Sequence, residues 1–441
     1  MTELAIQRWS GLDPDERDAA LARPTSSLDP ALLNRVADIV SDVRARGDEA
    51  LAELTARFDG TTPSSLRVPD AEIAGALAAC PTADRAALEH ARSNIHRFHA
   101  AQLTDLPWVE VDAGVRCRQV RRPIDAVGLY VPGGSAPLPS ALLMLAIPAL
   151  LARCPRIVIC SPPQSDGCVA PVVLAAAAVC GVREVYAVGG AQAIAAMAYG
   201  TASIPAVDKI YGPGNAYVTA AKMLAAQDPR GAACDMPAGP SEVLVIADDT
   251  ADADAVAADL MAQAEHGPDS QALLMTVSVD LATAVRRSIA SQLPARSRRH
   301  IIAAALSHSR AVVFERMDDV IVASNRYAPE HLIINTRDAE QRLSDIRNAG
   351  SVFLGPWAAE TFGDYCSGTN HVLPTYGFAR AYSGVTLADF SKFITVQHLN
   401  QTGFDRLSET AQRLAMLEGL DAHAAAVTVR QRQRDRLRRR A

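Results

Sequence analysis

Nowhere in its 441 residues does the chain contain a CxxC pair, a GxGxxG loop or an apolar run long enough to cross a bilayer. Each absence removes a class of function. The eight cysteines, at 80, 117, 154, 160, 168, 180, 234 and 366, are scattered, which excludes a zinc ribbon and a thioredoxin-type motif. Several sit in apolar runs, such as Cys160 in RIVIC and Cys180 in AAAAVC. There a reduced cysteine reads as a small core residue, and none stands out as a nucleophile. The longest apolar run, LPSALLMLAIPALLA at 138–152, is too short to span a membrane. The first residues, MTELAIQRWSGLD, lack a basic n-region and a signal-type apolar core, so a cytoplasmic protein is expected. Excess positive charge is also missing. The formal net charge is −6, which argues against nucleic acid or a membrane surface as partner. The exception, RQRQRDRLRRR at 430–440, reads as a solvated helix end.

What is present is an ordinary globular composition, 49% hydrophobic and 21% charged. The length suffices for two or more domains. Region 31–105 has helical periodicity, in LLNRVADIVSDVRARG and DRAALEHARSNIHRFHAAQL. Its histidines, His90, His96 and His99, read as surface or packing residues, because no nearby carboxylate or loop completes a metal pair. From about 120, short apolar strands alternate with Ala-rich helices, and after GPSE the alternation repeats with helices expected at 251–266, 280–292, 318–328 and 338–349. Such a pattern implies mostly parallel sheets covered on both faces. Two units of this kind in tandem make the cleft between them a candidate ligand site. After about 385 the pattern turns helical and short, too small to bury a core alone.

Three glycine-rich turns stand in for the missing fingerprint. They are AVGLYVPGG, ending at Gly133 and Gly134; VYAVGGAQAIAA, with Gly189 and Gly190; and KIYGPGNAYV, with Gly212, Gly214 and Asn215. Glycine lets backbone approach a phosphate, and a helix N-terminus attracts anions. Together, at the carboxyl ends of parallel strands, they suggest an atypical nucleotide site.

Three polar stretches carry the chemistry. In MAQAEHGPDS, Gln263 and His266 lie three apart at a helix exit, so both can face one atom; the plain alternative is an ordinary helix end. In NRYAPEHLIINT, Glu330 and His331 stand side by side before an apolar strand, placement that suits proton transfer as well as it suits a loop. GDYCSGTNHVLPT reads as a long polar loop in which Asp364, or alternatively His371, would complete a site with Gln263 and His266. A fourth ligand would come from LEGLDAHAAAV, with Glu418 and His423. Mixed nitrogen and oxygen donors with an open position fit a zinc ion that also binds substrate.

In order and spacing, AVGLYVPGGSAPLPSALLML, VGGAQAIAAMAYGT, VDKIYGPGNAYV, DMPAGPSEVLVIAD, QAEHGPDSQ, PEHLII and GDYCSGTNHVLPTYGFAR resemble the histidinol dehydrogenase family over roughly residues 120–400. LEGLDAHAAAVTVR extends the resemblance towards the C-terminus. The resemblance implies an NAD-dependent, four-electron oxidation of L-histidinol to L-histidine through histidinaldehyde, the last step of histidine biosynthesis. It also implies one Zn2+ per subunit and a homodimer with shared active sites. By the same resemblance, Gln263, His266, Asp364 and His423 match zinc ligands, with His423 from the other chain. Glu330 and His331 match the acid–base pair. Ser241, Gln263, His266, His331, Asp364, Glu418 and His423 match substrate-contacting positions, and Tyr130, Gln192 and Asn215 match NAD contacts. Cys366 departs from the small residue common there. The expected fold is α/β, two tandem incomplete Rossmann-like domains with mostly parallel sheets. The expected division is a small segment 1–30, a substrate and zinc side from 31–125 with 240–384, an NAD side at 126–239, and an arm at 385–441 reaching a partner subunit. Two other readings remain at this level: a different zinc-dependent amino-alcohol dehydrogenase on the same frame, and a non-catalytic small-molecule binder.

Overall fold

The structure is a computed structural model that describes residues 4–24, 30–104, 106–133, 137–236 and 239–439. Gly134, named above in the first glycine turn, lies outside the described residues. Its strands, in chain order, are β1 (Ala5–Arg8), β2 (Val109–Asp112), β3 (Val115–Pro123), β4 (Ala126–Tyr130), β5 (Arg156–Ser161), β6 (Glu184–Ala187), β7 (Lys209–Tyr211), β8 (Ala233–Cys234), β9 (Glu242–Ala247), β10 (Gln271–Thr276), β11 (Arg310–Val313), β12 (His331–Asn335), β13 (Ser351–Leu354) and β14 (Ser391–Leu399). Two compact units emerge. The larger holds residues up to Leu103 and Pro123–Phe390; the smaller combines Thr104–Arg122 with Ser391–Ala441.

The larger unit contains two parallel sheets. One has the order β6-β5-β4-β7-β8, the other β1-β11-β10-β9-β12-β13. Their central strands are apolar on both faces, as in β9, EVLVIA, and β10, QALLMT, all buried. That is the pattern a sheet takes when helices cover both sides. The helix Pro139–Ala152 is buried almost all round, and this explains its unbroken apolar sequence.

Each sheet reverses its strand order once. The reversal falls between β4 and β7 in the first sheet and between β9 and β12 in the second. Open α/β sheets place ligands at such points. Tyr130 ends β4, and the turns at Gly190 and Gly212 follow β6 and β7, so they occupy the carboxyl edge. In the second sheet Ser241 precedes β9, Glu330 precedes β12 and His266 precedes β10, on the amino edge.

Four helices, Pro30–Arg46, Asp48–Phe58, Asp70–Ala79 and Thr82–Ala100, cover the early region. Their apolar faces join the two cores around β4–β8. His99 is fully buried there, and burial lowers its pKa, while His90 and His96 are exposed.

Two local expectations differ. The helix at 338–349 is only one turn, Ala339–Arg342, with a 3-10 turn after it. Buried Asn325 takes over the backbone beyond: its Oδ1 accepts from Arg347 and Asn348 N–H at 2.7 and 3.2 Å, and its amide donates to Asp345 O at 2.8 Å. The region after 385 has a 3-10 turn, Leu387–Phe390, and then a strand, β14, before two helices, Gln401–Leu417 and Asp421–Arg438. The run FITV, one aromatic and three β-branched residues, favours extended backbone there, and β14 joins β3 and β2 in a three-stranded sheet of the smaller unit. Among the described residues no helix is long and apolar enough to cross a membrane.

Candidate active site

Register builds the first part of the site. His331 pairs with Val243 across β12 and β9, so Glu330 lies opposite Glu242 at the sheet's amino edge. The two glutamates exchange hydrogen bonds. Glu242 N–H donates to Glu330 Oε2 at 2.9 Å, and Glu330 N–H donates to Glu242 Oε1 at 3.2 Å. His331 Nδ1 lies 3.1 Å from Glu242 O, and 3.6 Å from both Glu330 Oε2 and Glu360 Oε1. Its Nε2 faces Asp364 Oδ1 at 3.4 Å, a long contact. Both members of the pair are buried.

Burial dominates the electrostatics. It pushes the Glu330 carboxyl up to about 8, against the opposing pull of His331. For His331, burial alone would lower the pKa, but the carboxylates of Glu360, Glu330 and Asp364 together raise it well above the ordinary value. Asp364 is held below the usual carboxylate range. Burial opposes this, and the His331 contact and the nearby imidazoles outweigh it. Burial and neighbouring charges thus push Glu330 up and Asp364 down within one cluster.

The second part is a donor cluster. Helix Ala253–Ala264 starts on the Asp252 side chain, which caps Asp254 and Ala255 N–H, and stops before Gly267 and Pro268. It thereby delivers Gln263, fully buried, and His266 at its exit. Asp364 sits on a short helix, Glu360–Tyr365, rather than in a loop. Gly363 lets that helix press against the Phe353 ring, which any Cβ would strike. His266 Nε2 is 3.8 Å from Asp364 Oδ2. Ligand atoms of His266, Glu360 and Asp364 all lie within 4.8 Å of one another. Glu360 was missed in the sequence, although the spacing to Asp364, one helical turn, was there to read. His371, the alternative ligand, has its Nε2 buried without a hydrogen-bond partner, and burial lowers its pKa. Cys366 closes the short helix, and its carbonyl accepts from Asn94 at 2.9 Å.

A cavity of about 640 Å3 adjoins this cluster. Its wall includes Tyr130, Gln192 and Asn215, and also Ser241 and His266. The Tyr130 hydroxyl accepts from Gly190 N–H at 3.1 Å. Asn215 caps helix Ala216–Gln227, its Oδ1 accepting from Tyr217 and Val218 N–H. Two of these turns favour glycine through positive φ. Gly190 has φ +66°, and a Cβ there would lie 2.6 Å from Gln192 Oε1. Gly212 has φ +122°, and a Cβ would collide with the Tyr130 carbonyl. The cavity also takes in Phe58 and Asp59 from the end of helix Asp48–Phe58. Asp59 Oδ2 is buried without a hydrogen-bond partner, and burial raises that carboxyl. This carboxyl comes from the early helices and not from the glycine turns.

Glu418 and His423 belong to the smaller unit. Glu418 ends helix Gln401–Leu417, His423 is in the first turn of Asp421–Arg438, and both are exposed.

A family model described as histidinol dehydrogenase matches residues 21–431. The chain belongs to the histidinol dehydrogenase family. As a member it is an enzyme, an oxidoreductase. Histidinol dehydrogenase of Vibrio parahaemolyticus is 52% identical over 422 residues, 96% of this chain and 97% of that one. The protein of that name from Xanthomonas campestris is 53% identical over 96% and 98%. The crystal structure of histidinol dehydrogenase from Elizabethkingia anophelis superposes with a TM-score of 0.94 at 43% identity, covering 98% of this chain and 99% of that one. The mixed α/β architecture with mostly parallel sheets is thus the histidinol dehydrogenase fold.

Proposed function

We propose that this chain oxidises L-histidinol to L-histidine through L-histidinaldehyde, a four-electron reaction that uses NAD and one zinc ion per subunit and closes histidine biosynthesis. Family membership supports the coarser part, histidinol oxidation in histidine biosynthesis. The observation that carries the rest is the single cavity whose wall runs from Tyr130, Gln192 and Asn215 to Ser241 and His266. A dinucleotide and a small amino alcohol would meet there.

The residues fit both groups. An imidazole and two carboxylates within 4.8 Å suit zinc. In the proposed set Gln263, His266, Asp364 and the partner subunit's His423 hold the ion, with Glu360 beside them. Two of the carboxylates that raise His331, Glu360 and Asp364, are ones a divalent cation would neutralise, which favours the neutral imidazole a base must be. The unpartnered Asp59 oxygen suits a ribose hydroxyl. When bound, zinc would hold the amine and imidazole of the substrate, and NAD would accept hydride.

His331 takes the hydroxyl proton in the first oxidation. Glu330 takes a proton from water as it attacks the aldehyde, and Ser241 and the exposed Glu418 of the partner contact the substrate. With water as nucleophile no thioester is needed. The enzyme works as a cytoplasmic homodimer in this reading. The test is direct: purified protein given L-histidinol and NAD should form two NADH per histidine, lose activity on chelation and regain it with zinc. Absence of NADH with histidinol, or full activity in metal-stripped protein, refutes it.

A further inference from the structure

We infer that Arg23 and Glu242 form a buried brace that positions Glu330 and His331, so that residues which never touch substrate set the rate. The inference rests on the reading of that pair as acid and base.

Arg23 comes from the segment that follows the helix Pro14–Ala20, far from any motif. Its guanidinium grips the Glu242 carboxylate with two bonds, Nε to Oε2 at 2.5 Å and Nη2 to Oε1 at 2.8 Å. The same Nη2 donates to Tyr327 O at 2.8 Å and Ala328 O at 3.3 Å. Those carbonyls belong to the turn that leads into Glu330, where Ala328 holds φ +54°. Arg23 therefore ties the start of β9 to the start of β12. The Tyr327 ring lies under the guanidinium at 3.9 Å. Its hydroxyl contacts Glu242 Oε2 at 3.2 Å and Gln271 Oε1 at 2.7 Å. Gln271 in turn donates to Ala22 O at 2.9 Å, which fixes the residue before Arg23.

On its other side Glu242 addresses the pair with every remaining group. Its N–H holds Glu330 Oε2 and its carboxylate receives Glu330 N–H. Its carbonyl faces His331 Nδ1. A carbonyl only accepts, so Nδ1 carries a proton, and Nε2 is the nitrogen turned toward Asp364 and the site. A buried ion pair is in itself weak evidence of stability. Here the pair also offsets a second carboxyl buried next to Glu330, and it fixes one residue through which both catalytic side chains are oriented. Displacements of about 1 Å in such groups cost on the order of a hundredfold in rate.

The experiment uses zinc-loaded full-length enzyme and compares Glu242→Gln, Arg23→Met, Arg23→Lys and Tyr327→Phe with Ile289→Val, a core change on helix Val279–Gln292 remote from the site. Glu242→Gln and Arg23→Met should lower kcat by about 10- to 100-fold, with KM for histidinol and NAD within about threefold and zinc content unchanged. Arg23→Lys should recover part of the loss. The Arg23→Met, Glu242→Gln double variant should be no worse than the poorer single one. Ile289→Val should lower Tm and leave kcat unchanged. If the charge variants do not fold, Tyr327→Phe decides: a drop in kcat of about three- to tenfold supports the brace, and an unchanged kcat overturns it. An inactive Glu330→Gln beside fully active Glu242→Gln and Arg23→Met would overturn the brace alone. Full turnover of Glu330→Gln would remove the acid–base reading and the brace with it.

Discussion

Glu330 shows what the site asks of a single residue. Its carboxyl, ordinarily near 4.5, is pushed to about 8 by burial. If the carboxylate is the form that activates water, oxidation of histidinaldehyde should rise with pH and level off above about 8. Glu330→Gln should abolish that rise; an unchanged pH profile would exclude Glu330 as the base. Stability should move the other way. From pH 4.5 upward the unfolded chain releases this proton while the folded chain keeps it, so the native state loses stability until about pH 8. Glutamine carries no such penalty, and Glu330→Gln should be more stable at pH 7 by on the order of 2–3 kcal/mol, read from Tm or denaturant midpoints. Residues of this kind were legible in the sequence where two polar groups stood close along the chain: Glu330 with His331, Gln263 with His266. Arg23, Asp59 and Glu360 were not singled out. Arg23 acts across more than two hundred residues of chain, Asp59 shares a wall with residues from the glycine turns far along the chain, and Glu360 was overshadowed by the polar run that begins after it.

At the scale of elements, the alternation of apolar strands and Ala-rich helices was enough to read two parallel sheets. What alternation cannot give is which edge of each sheet works. The cavity is lined by the carboxyl edge of one and the amino edge of the other, so only half of it obeys the usual rule for open sheets. Tertiary partners also decide element ends. One buried asparagine, Asn325, holds the backbone at 345–348 that periodicity assigned to a helix. Helix Asp48–Phe58 was read as helix, but its contribution to the cavity was not. Asp59→Asn should raise KM for NAD about tenfold with little change in kcat, since it removes one charged acceptor from a binding contact. Equal KM values in NAD titrations of the two proteins would remove Asp59 from the cofactor site.

At the scale of the whole molecule, Glu418 and His423 lie in the smaller unit and are open to solvent. Under the proposed shared site, inactive His266→Ala and His423→Ala subunits should restore activity when mixed, because one site of each hybrid dimer keeps every native ligand. No recovery in proven hybrids would count against His423 as a ligand across subunits. The same scale gives meaning to β1. It pairs in parallel with β11, Ala5 opposite Arg310. A ribosome adding about 5–20 residues per second leaves roughly fifteen seconds to a minute between the two. The sheet of β4–β8 is complete long before then, whereas β1 emerges first and finds its neighbour late. The nascent chain thus carries an orphan strand through most of its own synthesis, and with it Arg23, whose partner Glu242 is more than two hundred residues behind.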